Sequence, residues 1–266
     1  MAKTTAYPPM VEPLVDQLKS LFFTGFFGSL LMFCLYSFYM GSVTVLRPLL
    51  RNSDAMVFAA LVSAAHIVVY LVCNVPLAIF DYYGYFQEYK LFRKESMKPT
   101  RQLVQKTVIE AAISLFVSTP VLSYFAFPTY VYFGLTPLDS PLPTLMDIVQ
   151  TMFIGHIFND VAFYFAHRMF HSKALYWIHK QHHNYTGTMG ISAEFANPIE
   201  GLLANLIPTI GGVVLFGCHH PLCFIVWLAM RLQQTFLAHS GFCFKDTWLD
   251  FFGLAHADGG EFHVHV

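Results

Sequence analysis

Long apolar segments constrain this chain more than any other feature of its sequence. Four of them approach the roughly 20 residues that a helix needs to cross the hydrocarbon core of a bilayer. They are 21–45, 55–80, 108–135 and 145–166. Charged residues make up 12% of the chain, about half of the roughly 25% that is usual in soluble domains. The sequence therefore predicts an all-α integral membrane protein with four transmembrane helices.

The third and fourth segments contain residues that are unusual in a spanning helix. Pro120 and Pro128 lie inside the third segment, so we expect its helix to be kinked or broken. The fourth segment contains His156, Asn159 and Asp160. Polar groups at membrane depth usually face a bundle interior or a functional site, so the fourth helix should turn one polar face inward.

Basic residues in the loops predict the orientation of the chain. The connection 81–106 carries six Lys and Arg residues against three acids, and positively charged loops stay cytoplasmic. The N-terminal segment 1–20 is then cytoplasmic as well. Counting helices along the transmembrane region 21–166 places 167–266 at the cytosolic face, although two arginines in the connection 46–54 weigh weakly against this orientation.

A fifth apolar stretch, 202–236, is divided by the sequence GCHHPLC. Each half has about 15 apolar residues, which is short for a full crossing. We therefore predict a helical hairpin that either dips into the bilayer or lies buried in the cytosolic-face region.

Histidine is concentrated in the sequence HRMFHSKALYWIHKQHH, which runs from His167 to His183. His167 and His171 are four residues apart, and His179, His182 and His183 also include helical spacings, so each group shares a helix face. Two such helices packed together would bring five imidazoles into one small volume. Neutral imidazole is a common ligand of iron, zinc and copper, and five nitrogens crowd a single ion. The spacing therefore favours two metals, and the absence of an accompanying CxxC pair argues against a zinc finger.

HRMFH and HKQHH resemble the HxxxH and HxxHH boxes of the membrane-bound fatty acid hydroxylase/sterol desaturase superfamily. Two longer stretches, NDVAFYFAHRMFHSKALYWIHKQHHNYTGTMGISAEFANPIE and MRLQQTFLAHSGFCF, resemble its methylsterol monooxygenase branch, as does YFQEYKLF. The convincing resemblance covers about 150–243, and the rest of the chain agrees in hydropathy only.

The resemblance implies a di-iron site at the cytoplasmic membrane surface, with O2 as co-substrate and electrons from NAD(P)H through cytochrome b5 and its reductase. It implies an enzyme of the endoplasmic reticulum that oxidises sterol C4-methyl groups alongside other sterol-demethylation enzymes. A sterol or other lipid would enter laterally from the bilayer. By position, the resemblance assigns metal ligation to His167, His171, His179, His182, His183, His239 and His263.

Three acids are expected to support the ligands. Asp160 lies seven residues before His167, on nearly the same helix face, and could accept an N–H from a ligand imidazole. Glu194 and Glu200 resemble acids of the family by position, and would either bond to ligands or hold the polar loop. His66, in contrast, is expected to be a structural residue of the second helix.

The third histidine box is incomplete. The chain ends in EFHVHV where the family has FHDYHH and a further stretch, so Val264 replaces the expected Asp and Val266 an expected His. Asn197 replaces the usual histidine of AHPxE, while His256 and His265 are candidate substitutes. We interpret the C-terminus as truncated or the site as weakened. We therefore predict fewer than two irons per chain, and a measured value close to two would contradict this.

Three functional hypotheses follow from these observations. The leading one is an iron monooxygenase of sterol C4-methyl groups. The second keeps the metal site but changes the activity to sterol desaturation or to fatty-acyl or alkyl hydroxylation. The third is a catalytically impaired scaffold that binds sterol or partner enzymes. A formal net charge of −1 gives no indication of nucleic-acid binding.

Overall fold

The computed structural model describes residues 11–91, 98–186, 189–217 and 219–244, with side chains from residue 30 onward. Within these ranges the regular structure is helical, with an isolated antiparallel bridge between Lys90 and Phe242. This confirms the predicted all-helical class. The α-helices are α1 (Val11–Leu49), α2 (Asp54–Tyr83), α3 (Arg101–Ile113), α4 (Thr119–Tyr132), α5 (Leu145–Phe170), α6 (Tyr176–His179), α7 (Pro198–Glu200), α8 (Ile207–Phe216) and α9 (Pro221–Ala238).

The number of candidate membrane spans differs from the four that were predicted. Five helical segments of the described chain are long and apolar enough to cross a membrane: Leu30–Leu49, Asp54–Tyr83, Arg101–Tyr132, Pro198–Phe216 and Pro221–Ala238. The last two are the halves of the predicted hairpin, and they have 19 and 18 residues rather than about 15.

Helix α5, the predicted fourth span, has 26 residues but is not among the five candidates. His156, Asn159 and Asp160 lower its hydropathy. The count of four is therefore not confirmed, and the cytosolic placement of the histidines remains a prediction.

Local capping interactions explain where two of the long helices begin and end. Ser53 accepts a hydrogen bond from the Met56 amide at the start of α2, and Gly84 ends that helix with a positive φ of 70°, a conformation that glycine adopts at little cost. At the start of α5, Thr144 and Asp147 form a capping box in which each side chain bonds to the other residue's backbone. These contacts define both ends of α2 and the start of α5, the helix whose last turn carries His167.

The third apolar segment, which was expected to be kinked or broken, is a continuous helical run that contains a π-helical turn. Helices α3 and α4 run into each other through π-helical Ser114–Ser118, and Pro120 lies in the first turn of α4, where a missing backbone N–H is tolerated. Pro128 lies inside α4 without ending it. A second π-helical turn, Gly201–Leu206, joins α7 to α8. Such turns are often found near functional sites.

Aromatic packing holds the membrane helices together. Helix α2 packs against α4 and α9, while α5 packs along α8 and α9. Phe58 of α2 lies between Tyr130 of α4 and Phe224 of α9, with centroid distances of 5.7 and 5.6 Å. Tilted and edge-to-face pairs of this kind stabilise a core beyond the area they bury. The arrangement brings the C-terminal ends of α5 and α9 to the same region of the molecule.

Two glycines allow α5 to approach its neighbours closely. A Cβ atom at Gly155 would lie 2.8 Å from the Trp227 ring of α9. A Cβ atom at Gly212 of α8 would lie 2.3 Å from the Phe158 Cβ and 3.2 Å from the Ile154 carbonyl oxygen. Small residues permit such close helix contacts in membrane proteins.

We expect Gly212→Ala to lower the thermal unfolding temperature, because the added methyl group meets a Cβ atom and a backbone oxygen rather than a flexible side-chain end. Overpacking of this kind costs about 1–3 kcal/mol. Thermal unfolding of the purified protein in detergent measures the effect. Gly41→Ala is the matched control, since no atom lies within 4 Å of the added Cβ, and equal melting of the two variants would contradict the prediction.

Candidate metal centre

The C-terminal end of α5 carries the first two predicted ligands. His167 lies in the last turn of α5 and His171 caps it, so the helix itself places the two rings on one face. Their Nε2 atoms are 3.1 Å apart. Two imidazoles bound to one ion at about 2.1 Å would bring their nitrogens to about 3 Å from each other, so the pair fits one metal ion.

His179 adds a third nitrogen at the same point. One ligand atom from each of His167, His171 and His179 can be chosen so that all three lie within 4.8 Å of one another. The predicted second helical arm is short, because α6 ends at His179 after four residues and a 3₁₀ turn follows at His182–Asn184. The rings nevertheless converge, since the turns bend the chain around His179.

The buried side chain of His179 provides a test of whether a metal ion fits. Its Nδ1 lies 2.7 Å from Oε1 of the buried Glu200, whereas its Nε2 is buried without a hydrogen-bond partner among the described residues. Leaving a buried polar atom unpaired costs about 1–3 kcal/mol. A metal ion bound to Nε2 would satisfy this atom, so the donor set fits a metal.

Three further predicted ligands surround this group. The His183 ring centroid is 4.6 Å from that of His179 and 5.3 Å from that of His171. The His182 ring centroid is 5.8 Å from that of His179 and 5.4 Å from that of His239, the residue that caps α9. Six of the seven predicted ligands therefore lie together. The seventh, His263, and the candidates His256 and His265 lie outside the described residues.

Hydrogen bonds on one ring nitrogen leave the other nitrogen available. When a histidine binds a metal, its second ring nitrogen usually donates to a carboxylate or a carbonyl oxygen. His179 has such a bond to Glu200, and His239 Nδ1 lies 2.8 Å from the Thr235 carbonyl oxygen. Both bonds would aim Nε2 away from the acceptor and fix the ring orientation.

Burial and neighbouring rings lower the pKa of several cluster histidines. Burial, followed by the adjacent imidazoles, lowers the pKa of His167 to about 4 and that of His182 to about 3. Burial is also the largest cause of the lowered pKa of His183 and His239. At neutral pH these rings are therefore uncharged, and their lone pairs are free to bind a cation.

The three predicted supporting acids occupy different environments. Glu200 contacts the cluster through the bond described above. The carboxylate of Glu194 bonds to Nε2 of His66 at 2.9 Å rather than to a cluster histidine. Asp160 is exposed and accepts a hydrogen bond from the neighbouring Asn159 side chain at 3.3 Å. Among these acids, Glu200 is thus the one whose described hydrogen bond reaches a predicted ligand.

Asn197, at the position of an expected family histidine, caps a helix. Its Oδ1 accepts a hydrogen bond of 2.9 Å from the Ile199 amide at the start of α7. Asparagine is among the best residues for this role. Because α7 ends at Glu200, the cap helps to place the carboxylate that supports His179.

Helix α3 contacts the loop that carries the second histidine box. The sequence patterns did not predict this contact. Glu110 accepts a hydrogen bond of 2.9 Å from Gln181, and Thr107 bonds to Tyr185. The available signal was the polar sequence RQLVQKTVIE of 101–110, which precedes the apolar part of the third segment. Its polar side chains hold one residue inside the box and one just after it.

Sequence comparisons identify known proteins to which this chain is similar. A family model described as fatty acid hydroxylase matches residues 152–265. A Dictyostelium discoideum protein named "Putative methylsterol monooxygenase" is 32% identical over 183 residues, which are 68% of this chain and 66% of the relative. The rice (Oryza sativa subsp. japonica) very-long-chain aldehyde decarbonylase GL1-11 is 31% identical over 199 residues, or 74% and 72% of the two chains.

Methylsterol monooxygenase erg25B of Aspergillus fumigatus is 29% identical over 198 residues, which are 73% of this chain and 66% of the relative. The chain thus spans about two thirds of the length of these relatives. No solved structure matches the chain.

Proposed function

Because the chain belongs to the fatty acid hydroxylase/sterol desaturase superfamily, we propose that it is a membrane-bound non-haem di-iron oxygenase that oxidises sterol C4-methyl groups. The observation that carries this proposal is the grouping of five histidine rings with the buried His179, whose Nε2 has no hydrogen-bond partner among the described residues. Bound iron would supply the O2 activation that no amino-acid side chain can perform.

The histidines divide into two groups that suit two ions. The first group comes from the end of α5 and from α6, with His183 beside it. The second consists of His182 and His239, whose ring centroids are 5.4 Å apart, with His182 5.8 Å from His179. Because His179 adjoins both groups, it has the central position in the proposed site.

The surrounding residues would orient the rings. Glu200 and the Thr235 carbonyl oxygen hold one nitrogen of His179 and His239, respectively, so these rings need not reorganise when metal binds. The apolar helices would let a lipid reach the site from the bilayer. We further propose NAD(P)H, cytochrome b5 and its reductase as the electron source, and the cytosolic face of the endoplasmic reticulum as the location.

Sterol is proposed as the substrate because relatives from two organisms are named as methylsterol monooxygenases. The test is to supply the chain to cells that lack methylsterol oxidation and accumulate 4,4-dimethylsterols. We expect these sterols to decrease with the unchanged chain and to persist with His239→Ala. An unchanged sterol profile, with the chain present in the membrane fraction and loaded with iron, would refute the proposed substrate.

A second candidate activity has support from the rice aldehyde decarbonylase, which is 31% identical and matched over 72% of its length. It is tested by offering the iron-loaded protein a very-long-chain aldehyde and a 4-methylsterol in parallel. Consumption of the aldehyde alone would favour this candidate. New unsaturation or hydroxylation elsewhere on a lipid would instead favour a desaturase or hydroxylase of the same superfamily.

A further inference from the structure

His66 lies on α2, in a helix of membrane-spanning length, yet both of its ring nitrogens have polar partners. Nε2 is 2.9 Å from Oε1 of Glu194, and Nδ1 is 3.0 Å from Oγ1 of Thr119. With its hydrogen on Nε2, the ring donates to the carboxylate and accepts from the threonine hydroxyl, so both nitrogens are satisfied. The His66 and Glu194 side chains are only 9% and 13% exposed, and limited access to water strengthens such a bond.

The bond to His66 holds the loop immediately before a buried residue that contacts the metal centre. Glu194 ends the 3₁₀ turn Gly190–Glu194, and Phe195 caps it. The Phe195 side chain is fully buried, with Lys106 5.2 Å from its ring centroid. The Phe195 ring packs edge-on against the Tyr185 ring, with centroids 5.6 Å apart, and the Tyr185 amide donates to the His182 carbonyl oxygen. Through these loop residues, a side chain on a membrane helix is thus connected to the turn that carries a predicted ligand.

We propose that His66 is a positioning residue of the metal centre, which fixes Glu194 and, through the contact between Phe195 and Tyr185, the turn that carries His182. This inference rests on the metal centre proposed above. His66 itself touches none of the cluster rings in the described contacts, so its effect would be exerted through the loop.

The experiment measures Co²⁺ affinity of the purified, metal-free full chain in lipid nanodiscs, by titration of the visible cobalt spectrum. We expect His66→Leu to weaken Co²⁺ binding by about tenfold, the lower end of the range for losing a direct partner of a ligand, because His66 acts through the loop. His66→Gln should bind within about threefold of the unchanged protein, because the glutamine amide can replace both hydrogen bonds.

Ser63→Ala is the matched control for loss of a polar group on α2. Ser63 is also buried, lies about one turn before His66 and bonds only within its own helix, to the Ala59 carbonyl oxygen. Its replacement should leave Co²⁺ affinity unchanged. An equal loss in this control would indicate a general weakening of α2 and would overturn the positioning role.

A double-mutant cycle with His182→Ala separates positioning from stability. If His66 acts through His182, His66→Leu should change Co²⁺ affinity by less than about twofold once His182 is absent. An equal effect with and without His182, or no effect of His66→Leu in the unchanged background, would overturn the proposal.

Two further measurements keep the outcomes distinct. Should His66→Leu not fold, as judged by thermal unfolding, Glu194→Ala removes the same bond from the loop side and carries the same expectations. A folded, unchanged chain that binds no Co²⁺ would overturn the metal centre itself. Normal binding by the unchanged chain together with normal binding by His66→Leu and Glu194→Ala would overturn only the role of His66.

Discussion

Replacing His179 with alanine is expected to remove both iron and oxidation activity. The His179 ring adjoins those of His167, His171 and His182, with centroid distances of 4.7, 4.7 and 5.8 Å, so its loss removes a nitrogen from the centre of the group. Loss of an outer partner of a ligand already costs about 10–100-fold in metal affinity, and a ligand should cost more. Iron content after purification, measured by mass spectrometry, should fall below about a tenth of the value for the unchanged protein.

His219→Ala is the control for this substitution. His219 lies beside Gly134 and just before α9, at the end of that helix opposite to His239. The 18 residues of α9 correspond to about 27 Å, so His219 is remote from the cluster and its loss should leave the iron content unchanged. Retention of iron by His179→Ala, with folding intact, would contradict the assignment of His179 as a central ligand.

The local grouping of histidines could be predicted from the sequence because helical spacing is a local property. His167 and His171 share the end of α5 as their spacing predicts. The second box differs, since its rings are carried by a four-residue helix and a 3₁₀ turn. The bond from His179 to Glu200, which lies 21 residues further along the chain, could not be deduced from that spacing.

Hydrogen bonds between residues far apart in the sequence could not be predicted from local sequence patterns. His66 was expected to be structural, and its bond to Glu194 joins residues separated by 128 positions. Nothing in the sequence around His66 indicates this pairing, because it arises only when α2 packs against the loop before α7. The same limitation applies to the contacts of α3 with Gln181 inside the second histidine box and with Tyr185 just after it.

The membrane helices illustrate how irregular turns alter a prediction made from hydropathy. The apolar stretch beginning at 202 appeared too short to cross a membrane. In the structure, α7 and the π-helical turn Gly201–Leu206 continue into α8, which extends the helical run to Pro198–Phe216. Conversely, polar residues in α5 remove it from the candidate spans. The polar residues within α5 and the continuous helical run from α7 to α8 therefore determine which segments are candidate membrane spans.

Replacing Glu200 with glutamine is expected to change metal affinity and metal-free stability in opposite directions. Glu200 is 4% exposed, and its Oε2 has no hydrogen-bond partner among the described residues. A buried carboxylate is costly unless positive charge compensates it, and a metal ion on Nε2 of His179 would provide that charge through the ring. Without metal, Glu200→Gln removes the uncompensated charge while its amide oxygen can still accept the His179 hydrogen.

We therefore expect the metal-free Glu200→Gln protein to unfold at a higher temperature than the metal-free unchanged protein. Relief of about 1–3 kcal/mol corresponds to a rise of several degrees, since about 1 kcal/mol shifts the melting temperature of a large domain by roughly 2–4 °C. Its affinity for Co²⁺ should nevertheless fall by about 10–100-fold, because the metal loses the carboxylate behind its ligand. Thermal unfolding with and without Co²⁺ measures both effects.

Glu88→Gln is the control for Glu200→Gln, because Glu88 is an exposed carboxylate in the 3₁₀ turn Gln87–Tyr89. Its replacement should alter neither the metal-free melting temperature nor the stabilisation by Co²⁺. If Glu200→Gln instead lowers the melting temperature equally with and without metal, Glu200 would serve packing alone. A higher metal-free melting temperature together with a lower Co²⁺ affinity would connect the buried charge to a cation at His179. A carboxylate that serves packing alone would not stabilise the metal-loaded state.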